Sequence, residues 1–150
     1  VNGVLTEILA AMRFQLDEAG ARVSVEPLPV CRADHAQTSQ VFANLLDNAL
    51  KYRRPDRPLR ITVTGRVVGG EAIYAVADNG IGIAPEHQAK VFEMFHRLDP
   101  EATSGEGLGL AIAQRVLERQ QGRIWVESTA GEGSIFHLSL PALEAAGNPT

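Results

Sequence analysis

Asn44, Asn48 and Lys51 fall at i, i+4 and i+7 of the segment NLLDNALKY, a spacing that puts all three on one stripe of a helix. Two carboxamides and an ammonium on such a stripe offer carbonyl oxygens to a hard cation and positive charge to phosphate. The same stripe also suits a helix whose polar face simply meets water. A second group is DNGIGI, Asp78 to Ile83. An aspartate at the floor of an apolar pocket can accept hydrogen bonds from an exocyclic amine, and it discriminates, because a ligand without the donor strands a buried carboxylate. Gly80 and Gly82 let the backbone turn sharply and admit a flat ligand close to the main chain. An ordinary Asp-Asn-Gly turn has the same letters. The third group, GEGLGLAI from Gly105 to Ile112, opens a helix with glycines that expose N–H groups at the positive end of its dipole, where anions bind. It is neither a P-loop, since no Lys-Ser or Lys-Thr follows, nor a GxGxxG fingerprint.

These groups need elements to hold them. Leu5, Ile8, Leu9, Met12 and Leu16 recur at helical spacing and predict a first helix, with Gly20 as its stop. Val23 and Val25 alternate in a short strand closed by Pro27 and Pro29. The periodicity of Val41, Phe42, Leu45, Leu46, Ala49 and Leu50 predicts a helix from about Gln37 to Tyr52, ended by the turn-rich run 53–58. Ile61 to Val68 and Ala72 to Ala77 read as a hairpin closed by Gly69-Gly70. A short helix follows at about 86–95, then a polar loop at 99–106 and a long helix at about 108–121 stopped by Gly122. Two closing strands carry Ile124, Val126, Ile135, Leu138 and Leu140, and the tail 142–150 is expected to be loose. The pattern predicts one α/β (α+β) domain over 1–150: a two-layer sandwich, with a mixed, mostly antiparallel sheet of about five strands and three main helices on one face.

Composition narrows the function classes. The chain has 150 residues, 45% hydrophobic and 21% charged, with a net charge of −4. That balance argues against a dedicated nucleic-acid binder, which carries a basic face. The single cysteine, Cys31, cannot form an internal disulfide and suits a reducing compartment. No apolar run approaches the ~20 residues of a membrane-spanning helix. A cytoplasmic domain is expected, from a parent protein that a membrane anchor elsewhere could still hold.

The order of the motifs decides the reading. The chain resembles the catalytic, ATP-binding domain of sensor histidine kinases, in the ATPase group (Bergerat fold) shared with type II topoisomerases and mismatch-repair ATPases. NLLDNALKY resembles the N box, DNGIGI the first glycine box, VFEMFHRL (Val91 to Leu98) the F box and GEGLGLAI the second glycine box. The stretch from Gly122 to Pro141 matches the closing strands, and KYRRPDRP most resembles the phytochrome-like and PAS-linked kinases. The resemblance implies ATP and Mg²⁺ as ligands, with Asn48 on the metal, Asn44 assisting, Lys51 on phosphate and Tyr52 against the adenine. It implies that Asp78 reads the adenine amino group, with Gly80, Gly82 and Ile83 around the base. Gly105, Gly107, Leu108 and Gly109 anchor a lid over the phosphates, Phe92 and Phe95 pack that lid, and Arg97 stabilises charge on the transferring phosphoryl group. The implied reaction moves the γ-phosphoryl of ATP to a histidine on dimerisation helices expected upstream in the parent, and then to an aspartate of a response regulator.

Two features depart from the family pattern. Glu106 stands where the family more often has a small or hydroxyl residue, and about 6 Å from a phosphate charge it would cost roughly 3 kcal/mol at an effective dielectric of 20. The loop DPEATSG carries Asp99 and Glu101 and no lysine, so weak nucleotide affinity is one expectation. Those features also fit a nucleotide-sensing or scaffold module without phosphotransfer, and a serine kinase of the same fold is a third reading. His35, placed in a loop, His87, His96 and His137 all lack the setting of the family's phospho-acceptor, a long helix with an adjacent acid, and are read as surface or packing residues. Trp125 is read as strand packing. Arg53, Arg54, Arg57 and Arg60 are read as a solvated turn, with contact to phosphate or to an acidic partner as the alternative.

Overall fold

The computed structural model describes residues 2–31, 33–88, 91–92 and 109–142. Its elements run α1 (Asn2–Ala11), α2 (Arg13–Glu18), β1 (Arg22–Val25), α3 (His35–Lys51), β2 (Arg60–Val68), β3 (Glu71–Asp78), α4 (Pro85–Gln88), α5 (Gly109–Arg119), β4 (Arg123–Thr129) and β5 (Gly133–Pro141). The strands form one sheet in the order β1-β2-β3-β5-β4. β1 is parallel to β2 and all other pairs are antiparallel, as a mixed, mostly antiparallel sheet requires. The parallel edge arises because α3 lies between β1 and β2 in the chain, and such a crossover returns the strand in the same direction. No helix among the described residues is long and apolar enough to cross a membrane.

Helix α3 is the spine. Its start is set by Asp34, whose carboxylate accepts from the Gln37 N–H at 2.8 Å, so the helix begins two residues before the periodicity predicts. Val41, Phe42, Leu45, Leu46, Ala49 and Leu50 are buried, and Phe42 meets Tyr74 edge-on with ring centroids 5.7 Å apart. Burying a phenyl ring there contributes about 2–3 kcal/mol. The Tyr74 hydroxyl donates to the Pro29 carbonyl at 2.7 Å, which leaves no unpaired phenol in the core.

Strand registers stack the helix-facing side of the sheet into rows. Tyr74, Leu138 and Ile124 form one row across β3, β5 and β4, and Val76, Phe136 and Val126 form the next. The row after that is Asp78, Ser134 and Ser128, so the apolar face ends in a polar edge. On the opposite side of the sheet Trp125 stacks on His137 with centroids 5.2 Å apart, and the Arg123 guanidinium lies 4.3 Å from the indole centre. His137 Nε2 also meets the Glu127 carboxylate. Trp125 therefore packs strand against strand, away from the helices.

Several expectations change. The first predicted helix is bent at Met12, where φ is −98° and ψ is 8°, giving two helices in place of one. Gly20 ends α2 as expected, at φ 64°. His35 is the first residue of α3 and follows Asp34, in place of a loop position; its ring meets Glu7 of α1 at 3.2 Å. Ala142, assigned to the loose tail, bridges Cys31 and donates its N–H to Gly70 at 2.9 Å, while 143–150 lie outside the described residues. The left-handed residue after α5 is Gln121, at φ 63°, and not Gly122. Gly122 is needed for closeness: a Cβ there would run into the Ser139 carbonyl oxygen.

The two neighbouring positions should therefore respond oppositely. Gln121→Gly relieves a left-handed side chain and should stabilise the domain by roughly 0.5–1 kcal/mol, while Gly122→Ala should destabilise it by more than about 1 kcal/mol. Urea denaturation of the two variants beside the wild type measures both signs.

Candidate functional site

The C-terminal half of α3 turns its apolar residues to the core and leaves Asn44 and Asn48 half-buried on the other stripe. Lys51 Nζ pairs with Asp47 at 3.1 Å, one helical turn back. A surface pair of this kind contributes at most about 1 kcal/mol. Tyr52 caps the helix, its N–H donating to the Asn48 carbonyl at 3.1 Å and its own carbonyl accepting the Ile81 N–H at 2.9 Å. The end of the polar stripe thus abuts the loop after β3.

That loop is held at almost every residue. Asp78 closes β3, and its carboxylate accepts the Gly80 N–H at 2.9 Å. Burial pushes the Asp78 carboxyl above the usual carboxylate range, opposed by hydrogen bonds from the main chain of Gly80 and Ser134. Asn79 binds away from the site: its side chain accepts the Arg60 N–H at 2.8 Å and donates to the Pro58 carbonyl at 3.0 Å. A Cβ on Gly80 would come 2.5 Å from the Tyr52 carbonyl oxygen, and one on Gly82, at φ 73°, would overlap the Thr129 main chain. Both glycines are therefore required by the protein's own chain-on-chain approach. The Ile83 N–H donates to Ser128 Oγ at 2.7 Å, and Gln88 Nε2 bonds the carbonyls of Ile83 and Ser128, each at 2.9 Å. Ser128 Oγ also meets Ser134 Oγ at 2.8 Å.

Gln88, Ser128 and Ser134 escape sequence reasoning, because only the strand register brings the two serines beside Asp78. The arginine run is also more than a solvated turn. Arg54 Nη1 donates to the Gly131 carbonyl at 2.6 Å, and Arg57 Nε donates to the Asn79 carbonyl at 2.9 Å.

Helix α5 completes the described part of the site. Gln120, just past its C-terminus, accepts the N–H of Asp34, the N-cap of α3, at 2.6 Å. α5 therefore runs antiparallel to α3, and at ~1.5 Å rise per residue its first residue, Gly109, comes level with the Asn44–Asn48 stretch. Phe92 packs edge-on against Phe136 of the core, 6.2 Å between centroids. Arg97, Gly105, Gly107 and Leu108, with Phe95, His96, Asp99, Glu101 and Glu106, lie outside the described residues.

The family model for histidine kinase-, DNA gyrase B- and HSP90-like ATPases matches residues 33–144. The chain belongs to this ATPase family. Among curated relatives, the phytochrome-like protein Cph1 of Synechocystis is 39% identical over 142 residues, covering 94% of this chain and 19% of that protein. The chain thus spans about a fifth of the length of that relative. Among solved structures, the mycobacterial sensor histidine kinase MprB superimposes with a TM-score of 0.80 at 29% identity, covering 94% of this chain and 95% of that one. Full-length ShkA, solved in complex with AMPPNP, gives a TM-score of 0.78 at 30% identity over 96% of this chain and 32% of that one. The fold is that of a histidine kinase ATPase domain, and the family is one of ATP-binding proteins.

The environment of Asp78 gives its burial a consequence for stability that pH can read. A carboxyl with a raised folded pKa stabilises the fold when protonated, and that contribution is lost as pH rises through the folded value. Asp78→Asn should therefore leave the melting temperature at pH 7 unchanged or a few degrees higher. The wild type should regain the difference as pH falls toward 4. Thermal melts of both proteins from pH 4 to pH 8 check the sign.

Proposed function

We propose that this domain binds ATP with Mg²⁺ and donates the γ-phosphoryl to a histidine on a dimerisation helix of the same parent protein, for passage to an aspartate of a response regulator. The observation that carries the reading is a half-buried carboxylate, Asp78, at a strand end in the loop that the asparagine-bearing end of α3 touches through Tyr52. The donor set suits the ligand, since an acceptor at one end and carboxamides with an ammonium at the other match a purine amine and a metal-bound phosphate chain. When bound, MgATP supplies the transferable phosphoryl group and a cation that offsets its charge.

The residues divide the work. Asp78 accepts from the purine amino group and fixes the base, with Gly80, Gly82, Ile83 and Tyr52 around it. Asn48, assisted by Asn44, presents a carbonyl oxygen to the metal, and Lys51 pairs with phosphate. Gly105, Gly107, Leu108 and Gly109 offer main-chain N–H groups at the start of α5, and Arg97 neutralises charge on the transferring group. Positioning and charge neutralisation suffice for this chemistry. A neutral imidazole is itself the nucleophile: its nitrogen bonds to the γ-phosphorus as the bond to the β–γ bridging oxygen breaks, and ADP leaves. No strong base is needed, in keeping with carboxamides where a water-activating ATPase would want a carboxylate. Cytoplasmic placement belongs to the same reading.

A nucleotide-sensing or scaffold role remains the competing reading, favoured by the Lys51–Asp47 pair, in which an acid occupies the ammonium assigned to phosphate. Calorimetric titration with ATP, with and without Mg²⁺, tests the site. The wild type should bind about tenfold more tightly with Mg²⁺, and Asn48→Ala should lose that gain while keeping its metal-free affinity, a difference of about 1.4 kcal/mol. Asp78→Ala should bind neither form. Unchanged titrations in both variants would overturn the assignment. Adding the parent's histidine-bearing helices and labelled ATP should yield an acid-labile phosphohistidine; nucleotide binding without that product would favour the sensor.

A further inference from the structure

The loop that carries Asp78 is gripped from outside by one side chain that lies in neither glycine box, nor in the N box or the F box. Arg57, in the turn between α3 and β2, donates Nε to the Asn79 carbonyl at 2.9 Å. Its Nη2 shares two hydrogens among the carbonyls of Gly80 at 3.3 Å, Gly131 at 3.2 Å and Glu132 at 3.2 Å. Two of these bonds fall on the two peptides that flank Gly80, and each of those peptides is also held at its other end. The Asn79–Gly80 peptide puts its carbonyl on Arg57 and its N–H on the Asp78 carboxylate. The Gly80–Ile81 peptide puts its carbonyl on Arg57 and its N–H on the Tyr52 carbonyl. The remaining two bonds fasten the β4–β5 turn to the same guanidinium, and Arg54 adds a bond to Gly131. Only a planar fork with five donors can gather carbonyls from these separate chain segments; an ammonium is a compact point charge without that geometry.

We propose that Arg57 is a positioning residue for nucleobase selection: by fixing both peptide planes at Gly80, it holds the Asp78 carboxylate in the orientation at which it recognises a 6-aminopurine. The inference rests on the reading of Asp78 as the base acceptor. Arg57 does not touch the ligand. Its loss frees the Asn79–Gly80 peptide to swing, the Gly80 N–H leaves the carboxylate, and the carboxylate turns with it. A staple that only stabilised the turn would change melting temperature without changing which base is preferred.

The test uses the 150-residue chain, titrated with ATP and with inosine triphosphate, which carries a carbonyl where adenine carries its amine. Wild type, Arg57→Lys, Arg57→Ala and Asp78→Asn are compared at a temperature well below each melting point. Arg57→Ala and Arg57→Lys should weaken ATP binding about tenfold, as the loss of one well-placed hydrogen bond does, with inosine triphosphate little affected, so the preference contracts by the same factor. Should Arg57→Ala fail to fold, the lysine variant, which keeps the charge and the aliphatic stem, carries the comparison. Equal weakening of both nucleotides, or a wild-type preference in Arg57→Lys, overturns the proposal. Asp78→Asn is the separate control. If it leaves the preference for ATP intact, the reading of Asp78 itself fails; if it abolishes the preference while the Arg57 variants keep theirs, only the role of Arg57 fails.

Discussion

The structure turns on a carboxylate that the fold draws partly out of water at the point where its core ends. Ionised groups resist such placement, and the cost is reduced here by main-chain N–H groups of Gly80 and Ser134 directed at Asp78. The Ser134 donor is there because β3 pairs with β5 in a register that sets Asp78 opposite Ser134. A slip of one residue would reverse which side of the sheet every later side chain occupies. The same register brings Ser128 into line, and through it the Ile83 N–H and the Gln88 amide. Sheet pairing and ligand chemistry are thus one constraint seen from two sides.

Helix α3 shows how a single element meets both demands. Its apolar stripe closes the core over β3, and its polar stripe carries the asparagines and the lysine. Because the helix ends on Tyr52, whose carbonyl receives the Ile81 N–H, a displacement of the helix along its axis would move the assigned phosphate end and the base end together. The antiparallel contact with α5, fixed at its far end by Asp34 and Gln120, sets the level of Gly109 against the asparagines. Rigid elements carry the assigned polar groups, as a site that depends on angle needs.

Much of this was legible in the sequence. β-rich runs located β2 and β3, and the Gly69-Gly70 pair marked the hairpin, where both residues have positive φ. The motif order identified the family before any coordinate was needed. What escaped was information that lies between elements. Ser134 and Ser128 look like turn residues until the register places them in a row with Asp78. Arg57 looks like part of a solvated charge run until two separated segments, the loop after β3 and the β4–β5 turn, converge on it. Hydrophobic period alone starts α3 at its first buried turn, while the capping signal Asp34-x-x-Gln37 places the start at His35. The left-handed residue at Gln121 carries no local signature, because glycine next to it drew the expectation.

The stacked pair on the far side of the sheet has a spectroscopic consequence. Trp125 is the single tryptophan of the chain, and it lies face to face with His137, an imidazole that touches a carboxylate, on the side of the sheet opposite the Asp78 edge. The intrinsic emission of this domain therefore reports the integrity of the β4–β5 pairing, on the side of the sheet away from the Asp78 edge.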